Sequence, residues 1–73
     1  MADEALPTGT GDSTYDLVSV LYHCLQGAEM YEVYAIDAED DEELALFFQE
    51  IAQQERDRAE RAKRLLAPRL KQG

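Results

Sequence analysis

Two stretches of helical periodicity organise the chain. Over residues 44–66, LALFFQEIAQQERDRAERAKRLL, apolar side chains fall at Leu44, Phe47, Phe48, Ile51, Ala59, Ala62, Leu65 and Leu66. Steps of three and four keep a side chain on one face of an α-helix, whereas a half-buried strand alternates every second residue. In the middle of this stripe stand Glu55 and Arg58, one turn apart on the same face, where a plain core helix carries Leu or Ala. The earlier stretch is periodic in a different way. At 100° per residue, Leu17, Val20, Leu21, Cys24, Ala28, Tyr31, Ala35 and Ala38 form one face, and Val18, Tyr22, Leu25, Val33 and Ile36 form a second beside it. The polar arc left over, Asp16, Ser19, His23, Gln26 and Asp37, is narrow. A helix apolar around most of its circumference needs more than one neighbour.

The breaks between these patterns set the elements. Ser13 reads as an N-cap with Asp16 three residues on, the position from which a capping-box side chain reaches back. The first helix is therefore expected over 13–39. Residues 37–43, DAEDDEE, interrupt the pattern; Asp40 or Asp41 suits the cap of the next helix, and Glu42 and Glu43 suit its first turn. With no Gly or Pro there, the turn is short and the helices fold back antiparallel. The second helix is expected over 41–67, with Pro68 ending it, or kinking a short continuation that carries Leu70. Residues 1–12, MADEALPTGTGD, read as a flexible lead-in. Their GTG follows no strand and lacks a GK[ST] ending, so it is not a phosphate loop.

The expected fold class is all-α, an antiparallel two-helix hairpin. Helices of about 25 residues are about 37 Å long. Packed only on each other, they leave a broad apolar face uncovered, and an isologous pairing of two hairpins closes that face as a four-helix bundle. Leu17, Leu21, Cys24, Tyr31, Phe47, Phe48 and Ile51 are the expected interface residues of this homodimer or higher homo-oligomer.

Composition sharpens the picture. A chain of 73 residues is one small domain with a marginal core of its own. Its single cysteine cannot form an internal disulfide, which leaves a metal or self-association as the stabilising device. No apolar run reaches the ~20 residues of a membrane span and no signal-peptide pattern is visible, so a cytoplasmic protein without a membrane partner is expected. The formal net charge of −9 argues against nucleic-acid binding. The charge is also segregated. Residues 1–55 carry 14 acids and no Lys or Arg, while all seven basic residues lie at 56 or beyond. Acids near helix starts and bases near the last turn match the helix dipoles; a basic tail that docks a partner is the other reading.

The stretch AQQERDRAERAKRLL at 52–66 resembles the second helix of the ferritin-like superfamily, particularly rubrerythrin-type domains, around its Glu-x-x-His motif. Glu55 falls on the glutamate and Arg58 falls where the histidine stands. The family's first helix has a ligand Glu followed seven residues later by a Tyr; Tyr31 takes the Tyr place, which puts Cys24 on the ligand position, and HCLQGAEMYEVYAIDA at 23–38 is similar to such a helix. The one-hairpin-per-chain organisation is similar to encapsulated ferritins. The resemblance covers about residues 17–66. It implies a four-helix bundle and, in complete members, a di-iron centre with ferroxidase or peroxidase activity. Here two ligand positions are replaced.

The functional reading from sequence is thus a non-enzymatic, ferritin-like structural and interaction module with a degenerate metal site and no cofactor. Glu55, Arg58 and Tyr31 would form its polar core, with Tyr31 placed to donate a hydrogen bond to Glu55. The alternative is an iron-handling, redox-linked half-ferritin binding iron or another divalent metal, with Glu55, Glu29, Glu32 and His23 as ligands shared across a dimer. A partner-binding adaptor using the acidic turn is a third reading. Taken singly, Cys24 reads as a small buried hydrophobe.

Overall fold

The computed structural model describes residues 12–72. Among them the chain is all-helical, with α1 at Ser13–Asp37 and α2 at Glu42–Gln72 packed closely along each other. The lead-in expected over 1–12 falls, apart from Asp12, outside the described residues. No helix among the described residues is long and apolar enough to cross a membrane.

The helix ends depart from the sequence expectations in three places. The N-cap of α1 is Asp12, not Ser13: its backbone is extended and its Oδ1 accepts from the N–H groups of Thr14 and Tyr15 at 3.0 and 3.2 Å. A carboxylate there also meets the positive end of the helix dipole, which a hydroxyl does not. α1 stops at Asp37, two residues short of 39, because a tight turn intervenes. Glu39 N–H donates to the Ile36 carbonyl and Asp41 N–H to the Ala38 carbonyl, at 3.1 and 2.8 Å. Asp41 then caps α2 by accepting from Leu44 N–H at 3.2 Å, which settles the choice between Asp40 and Asp41. Finally, α2 does not end near Ala67 but takes the alternative course, running through Pro68 to Gln72 and carrying Leu70. Pro68 lacks the N–H that would meet the Arg64 carbonyl. It is exposed, so water can reach the freed group, and the Arg69 guanidinium donates to the neighbouring Leu65 carbonyl.

The seam between the helices is built from small side chains. α1 buries Cys24, Ala28 and Ala35; α2 buries Ala52, Ala59, Ala62 and Leu66. Ala45, Ala52, Ala59 and Leu66 repeat every seventh residue, the spacing that keeps a line of contact on a neighbouring antiparallel helix. Small residues let the two backbones approach, so the larger side chains are turned to the flanks. On one flank an aromatic cluster bridges the helices near the turn. Tyr34 meets Tyr31 and Phe48 edge-on at centroid distances of 5.7 and 5.5 Å, and Phe47 lies 5.9 Å from Phe48. Of the expected interface residues, Leu17, Leu21, Tyr31, Phe48 and Ile51 are half-buried and Phe47 is exposed. Cys24 departs from that set, because α2 of its own chain already covers it.

Candidate functional site

Midway along the hairpin, Cys24 and Gly27 on α1 face Glu55 and Arg58 on α2. Glu55 belongs to the line Phe48, Glu55, Ala62 that runs beside the seam. Its stem lies on the surface of α1 where Gly27 has no side chain; a Cβ built there would be 3.7 Å from both Cγ and Cδ of Glu55 and 3.8 Å from Cε2 of Tyr31. One turn on, Arg58 Nη1 approaches Glu55 Oε1 at 3.1 Å. The pair is partly wet: the Glu55 side chain is 22% exposed and that of Arg58 56%. At that exposure water screens the ion pair, which contributes little to stability.

Cys24 sits beneath this pair. Burial pushes its thiol above the ordinary range, and a hydrogen bond to Glu55 adds to the rise, while Arg58 acts in the opposite sense. Arg58 is in turn held more firmly cationic by hydrogen bonding to Cys24 and by the field of Glu55. The cation beside Cys24 comes from the facing helix, although none lies near it in sequence. A thiol kept protonated at neutral pH is a poor nucleophile.

The hairpin does not bring the four metal-ligand candidates together. Glu32 makes an ion pair with Arg56 across the helices, while Glu55 is engaged by Arg58. His23 is exposed, with Nδ1 3.4 Å from Ser19 Oγ and its ring edge-on to Tyr22, and Glu29 is exposed. Among the described residues no group of three or more His, Cys, Asp or Glu could hold a metal ion. Within one hairpin, then, the donor set does not fit a di-iron centre. The Arg58 guanidinium pairs with the Glu55 carboxylate, and the thiol at the other ligand position is held protonated. Tyr31 lies close to Glu55 through the Gly27 gap but donates no hydrogen bond to it; its ring contact is with Tyr34.

Two features were not legible in the sequence reading. Gly27 carries no motif, and its role follows only from the residue that crosses it. The Glu32–Arg56 pair is a match of opposite charges that needs the register between helices before it can be drawn. Comparison with known families, curated proteins and solved structures finds no match for this chain.

Proposed function

We propose that this chain is a self-associating helical hairpin, a non-enzymatic structural and interaction module of ferritin-like architecture in which a polar pair stands where the metal chemistry would be. The observation that carries the reading is the inversion of its apolar residues. Leu66 apart, every buried side chain is Ala or Cys, and fourteen large apolar residues stay exposed, among them Ile36 at 68% and Phe47 at 53%. Exposed apolar side chains gathered along both flanks of a hairpin are what an interaction surface carries. Two helices of this size also bury too little to be more than marginally stable alone. A second copy supplies the missing half of a core, and two hairpins make a four-helix bundle. The second apolar face of α1, Val18, Tyr22, Leu25, Val33 and Ile36, lies on the flank away from Cys24 and allows contacts beyond a dimer.

Sedimentation equilibrium tests the reading. At micromolar concentration the mass should be at least twice the 8.3 kDa of the chain; a folded monomer overturns it. Anaerobic loading with Fe(II), Mn(II) or Zn(II), followed by desalting, should leave metal well below one ion per chain. Stoichiometric metal that disappears in Glu55→Ala would overturn the degenerate-site half of the proposal.

A further inference from the structure

We propose that the flank of α1 away from the aromatic cluster is a docking face for a basic amphipathic helix of a different protein. The inference goes beyond the self-association proposed above and does not depend on it.

Periodicity gives the shape of the occupant. Val18, Tyr22, Leu25, Glu29, Glu32 and Ile36 follow one another along α1 in alternating steps of four and three, and all are exposed. Such a line meets a partner helix along its whole length, whereas a strand or loop touches only part of it. α1 presents a different line, Cys24, Ala28 and Ala35, to α2. The exposed line is therefore a second helix seam, with no helix seated on it among the described residues.

Charge gives the chemistry of the occupant. Near the turn the seam opens into a cleft of about 750 Å³ between the helices. Its floor is Ala35, Ile36, Ala45 and Leu46, and its rim carries Glu32, Glu39, Asp40 and Glu42. No Lys or Arg precedes Arg56 in the chain. The two cations in line on the α2 side are already engaged, Arg56 with Glu32 and Lys63 with Glu60. Glu29, Glu39, Asp40 and Glu42 make no ion pair among the described residues. At the open end the charges are mixed, since Asp12 and Asp16 of α1 stand at the same end as Arg61, Arg69 and Lys71 of α2. The unbalanced carboxylates of this flank thus lie toward the turn, beside the exposed Ile36 and Leu46. What fits is a helix with apolar side chains every third and fourth residue and Lys or Arg beside them where it passes the turn.

Other occupants fit less well. The cleft is open along one side, so a small molecule would stay wet, whereas ligand pockets bury roughly 70–90% of a ligand's surface. Residues 1–11 of the chain hold no Lys or Arg. α1 of a further copy, laid parallel, sets Glu29 and Glu32 against themselves; laid antiparallel, it sets them against Leu25 and Tyr22.

The probe is a fluorescein-labelled helical peptide of about three heptads, with Leu at the seam positions, Lys beside them and Ala elsewhere. Anisotropy is read against the full chain at about 0.1 M salt, where charges still act over roughly 10 Å. The peptide should bind, and the same peptide with Glu for Lys, or with Ser for Leu, should bind about tenfold more weakly or worse. Leu25→Ser with Ile36→Ser, both exposed positions, should weaken binding by about tenfold, and so should Glu39→Gln with Glu42→Gln. Glu43→Gln with Glu50→Gln removes the same charge outside the cleft and should stay within about threefold of the original chain. Circular dichroism checks that each variant stays helical. No binding of the Lys peptide, equal binding of its Glu or Ser counterpart, or an equal loss in both glutamine pairs overturns the proposal. A helical Leu25→Ser, Ile36→Ser variant that sediments at lower mass than the original chain also overturns it, since a further copy then covers this flank. An original chain that is monomeric but binds the peptide in the expected pattern overturns the self-association and leaves this docking face standing.

Discussion

Ala52 is 0% exposed, while Phe47, five residues earlier on the same helix, is 53% exposed. Size explains the order. Where two helices cross at close range only a methyl group fits between the backbones, so the residues with most to gain from burial are displaced to the flanks. Cys24 occupies one of these narrow places, and its chemistry follows from it. Its thiol titrates above the ordinary range because burial and Glu55 disfavour the thiolate. The sign of the linkage is fixed by that direction. The stability this group contributes is fully present below its unfolded value, about pH 8.5, and is lost as pH rises through the higher folded value. Urea midpoints should therefore hold level from pH 7 to about 8.5 and begin to fall as pH rises beyond it. In Cys24→Ala that fall should be absent. An equal fall in the variant would show that the thiol is not its source.

Each helix is started by an aspartate and closed by a different device. Asp12 and Asp41 accept from the first free N–H groups of α1 and α2. Asp40 stands beside Asp41 in the same acidic turn and makes no such bond among the described residues. Asp41→Ala should accordingly cost about 1 kcal/mol in urea unfolding, and Asp40→Ala less than about 0.5 kcal/mol. Equal effects would mean that the turn acts through its summed charge rather than through a cap. The two helices also differ in what their outer surfaces need. On the flank away from the aromatic cluster α2 carries Gln49, Arg56 and Lys63 in line, with Leu46 near the turn, whereas α1 is apolar on both flanks. α1 is the element whose surroundings one hairpin leaves incomplete.

As a whole molecule, a single hairpin is a seam without a core. No large side chain is fully buried and no buried polar group is present among the described residues. If the self-association proposed above supplies the core, folding and assembly are one equilibrium, and the thermal midpoint must depend on chain concentration. Scans at 2 and 200 μM, concentrations chosen about a hundredfold apart, should differ by several degrees, the denser sample melting higher. A midpoint independent of concentration would show that the hairpin is stable by itself.

Helix number, the position of the turn and the two-faced character of α1 were written in the sequence, because they depend on periodicities and breaks that act locally along the chain. Glu55 and Arg58 were legible as a pair for the same reason, standing one turn apart on one helix. The line of burial on α2 was legible only in part: Ala59, Ala62 and Leu66 stand on the expected face and are buried. Periodicity weighted by bulk points to Leu44, Phe47 and Leu65, all of them exposed, and passes over Ala45 and Ala52. Which side of a helix turns inward depends on how near the second helix can come, and that is set by the smallest residues of both at once. The placement of Arg58 beside Cys24, of Glu55 over Gly27 and of Arg56 against Glu32 was decided in the same way, by a register between helices that no local pattern contains. The continuation through Pro68 likewise depended on surroundings, since an exposed proline near a helix end leaves its orphaned carbonyl within reach of water and of Arg69.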